Sequence, residues 1–450
     1  MLASFALDAF EALLDADPAL HELLMGEYRR QADVLTLVAS SSVTDPSVLA
    51  CGAMVANNVT AEGYPGARFH GGCRIVDEIE RLAIERAKAA FGARFANAQP
   101  HSASAANQIV MFGLLRPGDT ILGMDLDSGG HLTHGARVSF SGQYFNAVGY
   151  GLTPRGLIDY DQVHTLATKH RPKLIVCGTT SYPRVIDFGR FRQIADDVGA
   201  FLLADISHIA GLIIAGEHPS PVDHAHVTTT CTHKQLYGPR GGLILIGSDC
   251  DRRIPGGSQT LAQVMQKAVF PLCQGAPMLN GIAGKARALS NAMSNAFRQM
   301  MRRVVVDAKA AADSLTEKGY HVVSGGTDNH LVVVDVLSTI GVTGLVAQLA
   351  LEECDIVVNK NRVPGDRQSS AVASGIRLGT NTVAARGFGS AEMIRSAGAI
   401  HQVLSALEPT GPADYRLDAE VKCHVRQTVA GLCARFPIPG YSAAITSPHF

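Results

Sequence analysis

The sequence predicts an α/β protein with a mostly parallel sheet, followed by a smaller α+β domain toward the C-terminus. Short apolar runs without polar alternation recur along the chain, and such runs are typical of strands buried on both faces. Helical stretches separate these runs, which is the order of elements that builds a parallel sheet. A chain of 450 residues also exceeds one ordinary hydrophobic core, so two or more domains are expected.

The predicted elements follow in chain order. Residues 1–35 form helical arms, with Asp17-Pro18 as a helix start. Strand candidates of the sheet lie at 120–124, 173–177, 200–204, 242–246 and in the β-branched run from Val227, and helices lie at 108–115, 161–170 and 191–198. After a helix-rich stretch at 280–320, strand candidates at 330–335 and 355–358 belong to the smaller domain. The predicted division is a helical arm at 1–55, a large α/β domain at 56–295 and an α+β domain at 296–450.

Composition excludes several classes of function. The chain is 46% hydrophobic and 18% charged, as globular proteins are, and its net charge of −1 without basic runs is not that of a nucleic-acid binder. Neither a membrane span of about 18 apolar residues nor a signal peptide is recognisable. The nine cysteines lack metal-binding spacing, which indicates reduced thiols and a cytoplasmic protein.

Lys234 is the most informative candidate for chemistry. The strand from Val227 ends in the turn-forming sequence Gly-Pro-Arg-Gly-Gly at 238–242, so Lys234 is expected on a bend facing a cleft. Asp205 lies upstream among apolar residues. A lysine for a Schiff base and an aspartate for a pyridinium nitrogen are the minimum that pyridoxal phosphate (PLP) requires. The alternative is a surface lysine and a capping aspartate.

A second candidate is the small-residue segment around Ser102, Ala103 and Ser104, which precedes a helix. Free amides and the dipole at a helix N-terminus favour a phosphate group, and the two hydroxyls add donors. Simple N-capping by serine is the alternative.

Four further side chains are candidates with open alternatives. His131 and His134 lie in a glycine-bordered loop and could stack on a ring, but they lack a third ligand nearby, so no metal site is predicted. Arg377 lies between apolar residues and needs a carboxylate, either from a substrate or from a structural ion pair. Glu62 is either a proton shuttle or a solvated loop residue.

Several long blocks of this sequence resemble the serine hydroxymethyltransferase family, over about residues 20–410. The resemblance rests on Ala-Glu-Gly-Tyr-Pro-Gly at 61–66, Gly-Met-Asp-Leu at 123–126, Gly-Gly-His-Leu-Thr-His-Gly at 129–135, Thr-His-Lys at 232–234, Gly-Pro-Arg-Gly-Gly at 238–242 and Ser-Gly-Gly-Thr-Asp-Asn-His-Leu at 324–331. It implies a fold-type I, aspartate aminotransferase-like PLP enzyme with a seven-stranded sheet in the large domain. It also implies tetrahydrofolate as co-substrate.

The resemblance implies roles for individual residues. Lys234 would form the Schiff base, Asp205 would pair with the pyridine nitrogen, His131 would stack on the ring, His208 would contact its phenolic oxygen, and Glu62 would handle protons. Cofactor binding is implied for Ser102, Ala103, Ser104, His131, Thr180, Asp205, His208, His233, Lys234, Gly275 and Ala276; substrate binding for Ser40, Thr60, Glu62, Phe69, His70 and Arg377; and folate binding for Glu62, Leu126, Gly130, Leu132 and Asn361. The resemblance also implies a homodimer or dimer of dimers, in which residues 60–62 and 274–276 serve the partner's site.

The departures from the family pattern cluster at the amino-acid pocket. Ser41 and Ser42 replace Glu-Asn, Thr60 replaces a tyrosine, Phe69 and His70 replace a tyrosine pair, and Ala276 replaces a glycine. A packed pocket resists an added methylene by ~1–3 kcal/mol, so the loss of a ring at Thr60 is expected to admit a methyl group on Cα. The sequence analysis therefore favours α-methylserine as substrate, cleaved to alanine of the D-configuration.

Three alternatives stay open. The first is ordinary serine/glycine hydroxymethyl transfer. The second is a folate-independent aldolase or transaldolase of β-hydroxy amino acids, against which Leu126 and Asn361 argue. The third is a catalytically inactive binding protein, against which Lys234, Asp205, His208 and Arg377 argue.

Overall fold

The computed structural model describes residues 2–411 and 413–441, with side chains from residue 8 onward. The helices are α1 (Leu2–Ala16), α2 (Pro18–Asp33), α3 (Pro46–Gly52), α4 (Arg74–Phe91), α5 (Ala103–Leu114), α6 (Phe140–Tyr144), α7 (Tyr160–His170), α8 (Phe188–Val198), α9 (Ala210–Ala215), α10 (Leu261–Lys267), α11 (Leu279–Ala292), α12 (Asn295–Glu317), α13 (Val336–Ile340), α14 (Gly344–Glu353), α15 (Asn381–Ala385), α16 (Ser390–Ser405) and α17 (Ala419–Arg435). The strands are β1 (Leu35–Thr36), β2 (Gly63–Tyr64), β3 (Ala67–Arg68), β4 (Phe95–Asn97), β5 (Thr120–Met124), β6 (Asn146–Tyr150), β7 (Leu174–Gly178), β8 (Phe201–Asp205), β9 (Val227–Cys231), β10 (Gly242–Ile246), β11 (His321–Val322), β12 (Leu331–Asp335), β13 (Ile356–Val357), β14 (Asn359–Asn361), β15 (Gly375–Gly379), β16 (Leu407–Pro409) and β17 (Tyr415–Leu417).

The predicted α/β fold is confirmed. In the described part of the chain the central sheet has seven strands in the order β4-β10-β9-β8-β7-β5-β6. The pairs from β9 through β8, β7 and β5 to β6 are parallel, and β10 runs antiparallel to both β9 and β4. Sequence patterns did not identify β4, which is only three residues long, or β6, which is an exposed edge strand without an apolar run.

The smaller sheet joins β11, β12, β15 and β14 in antiparallel order. The strand predicted at 355–358 is shorter, β13, and it pairs outside this sheet with β1 of the N-terminal segment. Because β1 pairs with β13, Leu35 and Leu37 are buried in the core of the C-terminal part. The domain boundaries proposed from the sequence stay a prediction, and residues 442–450 of the last domain lie outside the described residues.

Capping residues determine where the helices start, and the apolar pattern by itself can place a start too late. Asp17 caps α2 where Asp17-Pro18 predicts a start, with its carboxylate 3.1 Å from the Leu20 amide. By contrast, α5 begins at Ala103 instead of 108, because Ser102 caps it and the intervening small residues extend the helix. Small residues such as Ala and Ser show little contrast between apolar and polar positions, so the periodicity does not reveal the first turn.

The strands of the central sheet alternate between two cores. Leu122, Ile175 and Leu202 pack into one core, while Ile121 and Leu203 pack into the other. Helix α12 extends from the first of these cores to the core of the C-terminal part. None of the described helices has both the length and the apolar character that crossing a bilayer needs.

Val304 and Val306 on α12 offer a matched test of this packing. Val304 is 0% exposed and Val306 is 52% exposed. We expect Val304→Ala to cost about 2 kcal/mol, because it removes two methyl groups from a packed core. Val306→Ala should stay within about 0.5 kcal/mol of the parent. Thermal unfolding of both variants checks this, and equal melting temperatures would contradict the burial described for α12.

Candidate active site

A cavity of about 1030 Å³ lies where the parallel strands end. The carboxyl ends of β5, β7, β8 and β9 meet at one edge of the sheet, which is where α/β sheets hold ligands. Of the residues predicted for the site, the cavity lining contains Ser40, Leu126, Gly130, His131, Thr180, His208, His233, Lys234, Asn361 and Arg377.

Lys234 lies in a bend three residues beyond β9, as the sequence predicts. Removal from water lowers the pKa of its amine, and the charges of Arg377 and Arg240 lower it further, although Cys231 and Asp205 oppose the shift. A lowered pKa leaves more of the amine unprotonated at neutral pH. Lys234 is therefore placed to act as a nucleophile toward a carbonyl group.

The Asp205 carboxylate is buried and accepts hydrogen bonds at both oxygens. Ser207 donates to Oδ1 from its amide (3.0 Å) and its hydroxyl (2.6 Å). At Oδ2, Asn107 donates at 2.8 Å and His134 Nε2 lies at 3.1 Å. Burial alone would raise the pKa of Asp205, but the hydrogen bond and charge of His134 and the charge of His131 hold it below its usual range. The carboxylate is thus kept ionised.

Asn107 is a functional residue that sequence reasoning missed. Its amide joins Asp205 to the hydroxyl of Thr133 at 2.9 Å, and its carbonyl accepts from Thr229 at 2.6 Å. Thr133 in turn lies 2.7 Å from His131 Nδ1. The available signal was a polar residue on the buried face of an otherwise apolar helix, α5.

The two loop histidines do have a third potential ligand, contrary to the sequence analysis. Ligand atoms of His131, His134 and Asp205 lie within 4.8 Å of one another. Asp205 is 71 residues from His134 along the chain, so local spacing could not reveal it. His134 and the carboxylate are hydrogen-bonded to each other, and the expectation that no metal binds here stays a prediction.

His208 forms a buried pair with His330, a residue to which the sequence analysis assigned no role. Nδ1 of His208 lies 3.3 Å from Nε2 of His330, and the rings stack with centroids 5.5 Å apart. Burial lowers the pKa of both imidazoles, to about 3 for His330, with further lowering by Lys234 and Arg377. Both rings are therefore neutral at neutral pH.

Arg377 presents an unpaired cation to the cavity. It donates to the side chain of Asn359 and to the carbonyl of Thr180, and within the described residues it forms no ion pair. Burial lowers its pKa to about 10, so the guanidinium stays charged. The described residues thus give the alternative of a structural ion pair no acidic partner, and a carboxylate from a ligand would suit the chemistry of the guanidinium.

The segment predicted to hold a phosphate is at the N-terminus of α5 but does not line this cavity. Ser102 caps the helix, with its hydroxyl oxygen 3.0 Å from the Ala105 amide, so the capping alternative is real. Ser104 is exposed. Capping uses one acceptor of Ser102 and leaves its hydroxyl hydrogen and the exposed Ser104 for another ligand.

Several other predicted residues lie close to one another but outside the Lys234 cavity. Glu62 Oε2 is 3.3 Å from His70 Nε2, and a Cβ on Gly275 would lie 3.3 Å from Glu62 Oε1. Phe69 is 74% exposed. The predicted residues absent from the cavity lining are Thr60, Glu62, Phe69, His70, Ser102, Ala103, Ser104, Leu132, Gly275 and Ala276, together with Asp205, which lies behind it.

The cavity retains polar atoms that a ligand could satisfy. His233 Nδ1 and Ser181 Oγ are buried without a hydrogen-bond partner in the described residues, and both residues line the cavity. Together with the Lys234 amine, the ionised Asp205 and the open Arg377, this donor set fits PLP and an amino acid.

PLP needs an amine for its aldehyde and a carboxylate for its pyridine nitrogen, and Lys234 and Asp205 supply both at the end of a mostly parallel sheet. This combination is typical of PLP-dependent enzymes of fold type I. The profile of the serine hydroxymethyltransferase family matches residues 13–400. Proteins named serine hydroxymethyltransferase from Alkalilimnicola ehrlichii and Halorhodospira halophila are each 49% identical to the chain, covering 94% of it and 96% and 97% of their own lengths. One from Xanthomonas axonopodis is 48% identical, with coverage of 94% and 97%.

This chain belongs to the serine hydroxymethyltransferase family. The predicted enzyme class, a one-carbon transferase, is confirmed, and so are the predicted cofactors of that family, PLP and tetrahydrofolate.

The Asp205 carboxylate should make stability depend on pH in a defined direction. Its folded pKa lies below the ordinary 3.8, so its stabilising contribution is present above that value and is lost as pH falls below it. Asp205→Asn should cost about 3 kcal/mol at pH 7 and progressively less below pH 3.8. Urea unfolding of parent and variant at several pH values checks this, with Asp313→Asn, at an exposed position, as control. A difference that does not change with pH would contradict the pKa assigned to Asp205.

Proposed function

We propose that the chain transfers a hydroxymethyl group between serine and tetrahydrofolate, with PLP attached to Lys234. One observation carries the proposal: the amine of Lys234 and the guanidinium of Arg377, which forms no ion pair with any described residue, line the same cavity. The first can bind an aldehyde and the second a carboxylate, which are the two functions that an α-amino acid substrate of a PLP enzyme requires. The names of the relatives support serine as that substrate.

Arg377 and Ser40 orient the substrate. A guanidinium binds a carboxylate through two parallel hydrogen bonds, and Arg377 is held for this by Asn359 and Thr180. Charge-assisted bonds of this kind contribute ~1.5–3 kcal/mol each. Ser40 lines the same cavity and adds a hydroxyl donor to the carboxylate.

Asp205 would hold the proton on the pyridine nitrogen of the cofactor. PLP, when bound, supplies an electron sink for the pair released when the Cα–Cβ bond breaks. An ionised carboxylate stabilises the protonated nitrogen on which that sink depends, and Asn107 and His134 keep Asp205 ionised. His131, His208, Thr180 and His233 would pack against the remaining edges and faces of the ring.

Glu62 is proposed to manage protons in the active site of a second subunit. Glu62, Phe69, His70 and Gly275 lie on a largely exposed surface outside the Lys234 cavity, which supports a homodimer or dimer of dimers with shared sites. In the same arrangement, the phosphate would be held by Ser102, Ala103 and Ser104 with Gly275 and Ala276 of the second subunit. Folate would contact Leu126, Gly130, Leu132 and Asn361. A cytoplasmic location completes the proposal, supported by nine unpaired cysteines.

α-Methylserine is the second candidate substrate, and the residue that favours it is Thr60. The sequence alone favours α-methylserine, whereas the names of the relatives support serine. Thr60 is a small exposed side chain near Glu62, at a position where the family has a tyrosine. The volume freed by that ring would accommodate a methyl group on Cα, whose burial contributes up to ~0.8 kcal/mol.

Lys234→Ala tests the attachment of the cofactor. Without the amine no Schiff base forms, so we expect loss of the covalent, borohydride-reducible PLP adduct and a fall in turnover of about 10³-fold or more. Lys309→Ala, at an exposed position on α12, is the control and should behave as the parent. Unchanged turnover in the Lys234 variant would overturn the proposal. Absence of the cofactor's absorbance band from the purified parent would instead favour a catalytically inactive binding protein.

Thr60→Tyr tests the substrate. If Thr60 admits the methyl group, restoring the ring should lower kcat/KM for α-methylserine relative to serine by about 10–200-fold. Thr165→Tyr, at an exposed position on α7, is the matched control. A strong preference of the parent for serine would exclude the second candidate. Turnover that is independent of added tetrahydrofolate would instead indicate an aldolase.

A further inference from the structure

We propose that Lys285 is a positioning residue for the cofactor phosphate, acting through the segment 98–102 that leads into α5. This inference rests on the proposed function, because it takes Ser102 and Ser104 as phosphate donors. Lys285 itself is buried on α11 and does not line the cavity, so its effect on the phosphate is transmitted through the backbone.

The Lys285 ammonium is hydrogen-bonded at all three of its N–H groups. Nζ donates to the carbonyl of Ala98 at 2.7 Å, of Pro100 at 2.9 Å and of Gly242 at 3.0 Å. These carbonyls come from the segment before α5 and from the start of β10. One cation therefore ties two separate parts of the chain together directly beneath the N-terminus of α5.

The rest of the segment is fixed from other sides. The Gln99 side chain donates to Glu80 at 2.8 Å and to the Gly63 carbonyl at 2.9 Å, and the Gln99 carbonyl accepts from Gln274 at 3.1 Å. Every carbonyl from Ala98 to Pro100 thus has a side-chain donor. With these carbonyls held by side chains, the direction in which the chain enters α5 is fixed, and so is the direction of the free amides of its first turn.

Two glycines make room for this arrangement. A Cβ on Gly241 would lie 2.2 Å from Lys285 Cε, and a Cβ on Gly242 would lie 2.4 Å from the carbonyl oxygen of Ser102. Side chains at these positions would push the ammonium and the phosphate segment apart. The glycine pair after Lys234 is therefore required by Lys285 and Ser102, and not by a turn alone.

A buried lysine without a hydrogen-bonded carboxylate is unusual and needs a reason. Burial lowers the pKa of Lys285 to about 7, although Glu80 opposes the shift. A neutral residue of similar volume would avoid this cost of desolvation. A positive charge beneath the N-terminus of α5 also adds to the helix dipole, and both favour an anion at that end of the helix.

The test compares PLP with pyridoxal, which has the same aldehyde and ring but no phosphate. Both are titrated into the full-length protein freed of cofactor, and dissociation constants are read from the absorbance of the imine with Lys234. In Lys285→Met the dissociation constant for PLP should rise about 10-fold or more. The constant for pyridoxal should stay within about threefold of the parent value.

Two further variants separate positioning from general destabilisation. Leu289→Ala, on the same helix and buried in the hydrophobic core, should lower the melting temperature but keep the parent's ratio of the PLP constant to the pyridoxal constant. Gly241→Ala displaces the ammonium without removing it, so it should raise the ratio of the PLP constant to the pyridoxal constant as Lys285→Met does. This variant provides a second measurement if the methionine variant does not fold.

The outcomes are distinguishable from failure of the proposed function. If the parent forms no imine with PLP, or binds PLP no better than pyridoxal, the proposed cofactor site fails. If the parent prefers PLP and the variants at 285 and 241 keep that preference, only the role of Lys285 is overturned.

Discussion

The ionised carboxylate of Asp205 is the group on which the rest of the site depends. A buried carboxylate would ordinarily take up a proton, and here four hydrogen-bond contacts, from Ser207, Asn107 and His134, prevent it. The contact with Asn107 extends to Thr133 and His131, so the position of the charge and the position of the imidazole are coupled. Burial raises the free-energy cost of the charge, but it also strengthens the electrostatic interaction between the carboxylate and a bound ring.

The same physical balance recurs at the three cations around the site. Burial lowers the pKa values of three basic side chains, Lys234, Arg377 and Lys285. The three side chains differ in the contacts that compensate for the lost hydration. The Lys285 ammonium donates hydrogen bonds to three backbone carbonyls. Arg377 keeps N–H groups available to the cavity, and a larger fraction of the Lys234 amine is unprotonated. Lys285 therefore supports the backbone, Arg377 is suited to bind a carboxylate, and Lys234 is suited to react with an aldehyde.

Much of the fold could be predicted from the sequence, because buried strands and helices have different periodicities. The core strands β5, β7, β8 and β10 were located within one residue. β4 and β6 were not found, since one is too short and the other too exposed to show a pattern. For the site, Lys234 and Arg377 follow from their neighbours along the chain, whereas Asn107, His330 and Lys285 acquire their roles from residues more than 90 positions away.

By itself the sequence determined the fold class, the family, and the side chains able to react with an aldehyde or bind a carboxylate, since these depend on residue type and local spacing. Only the tertiary structure decided that Asp205 stays ionised, that Arg377 forms no ion pair with the described part of the chain, and that Glu62 lies apart from the Lys234 cavity. Those properties arise because folding removes these side chains from water and brings distant segments together, where they form hydrogen bonds. No local pattern of residues encodes such contacts.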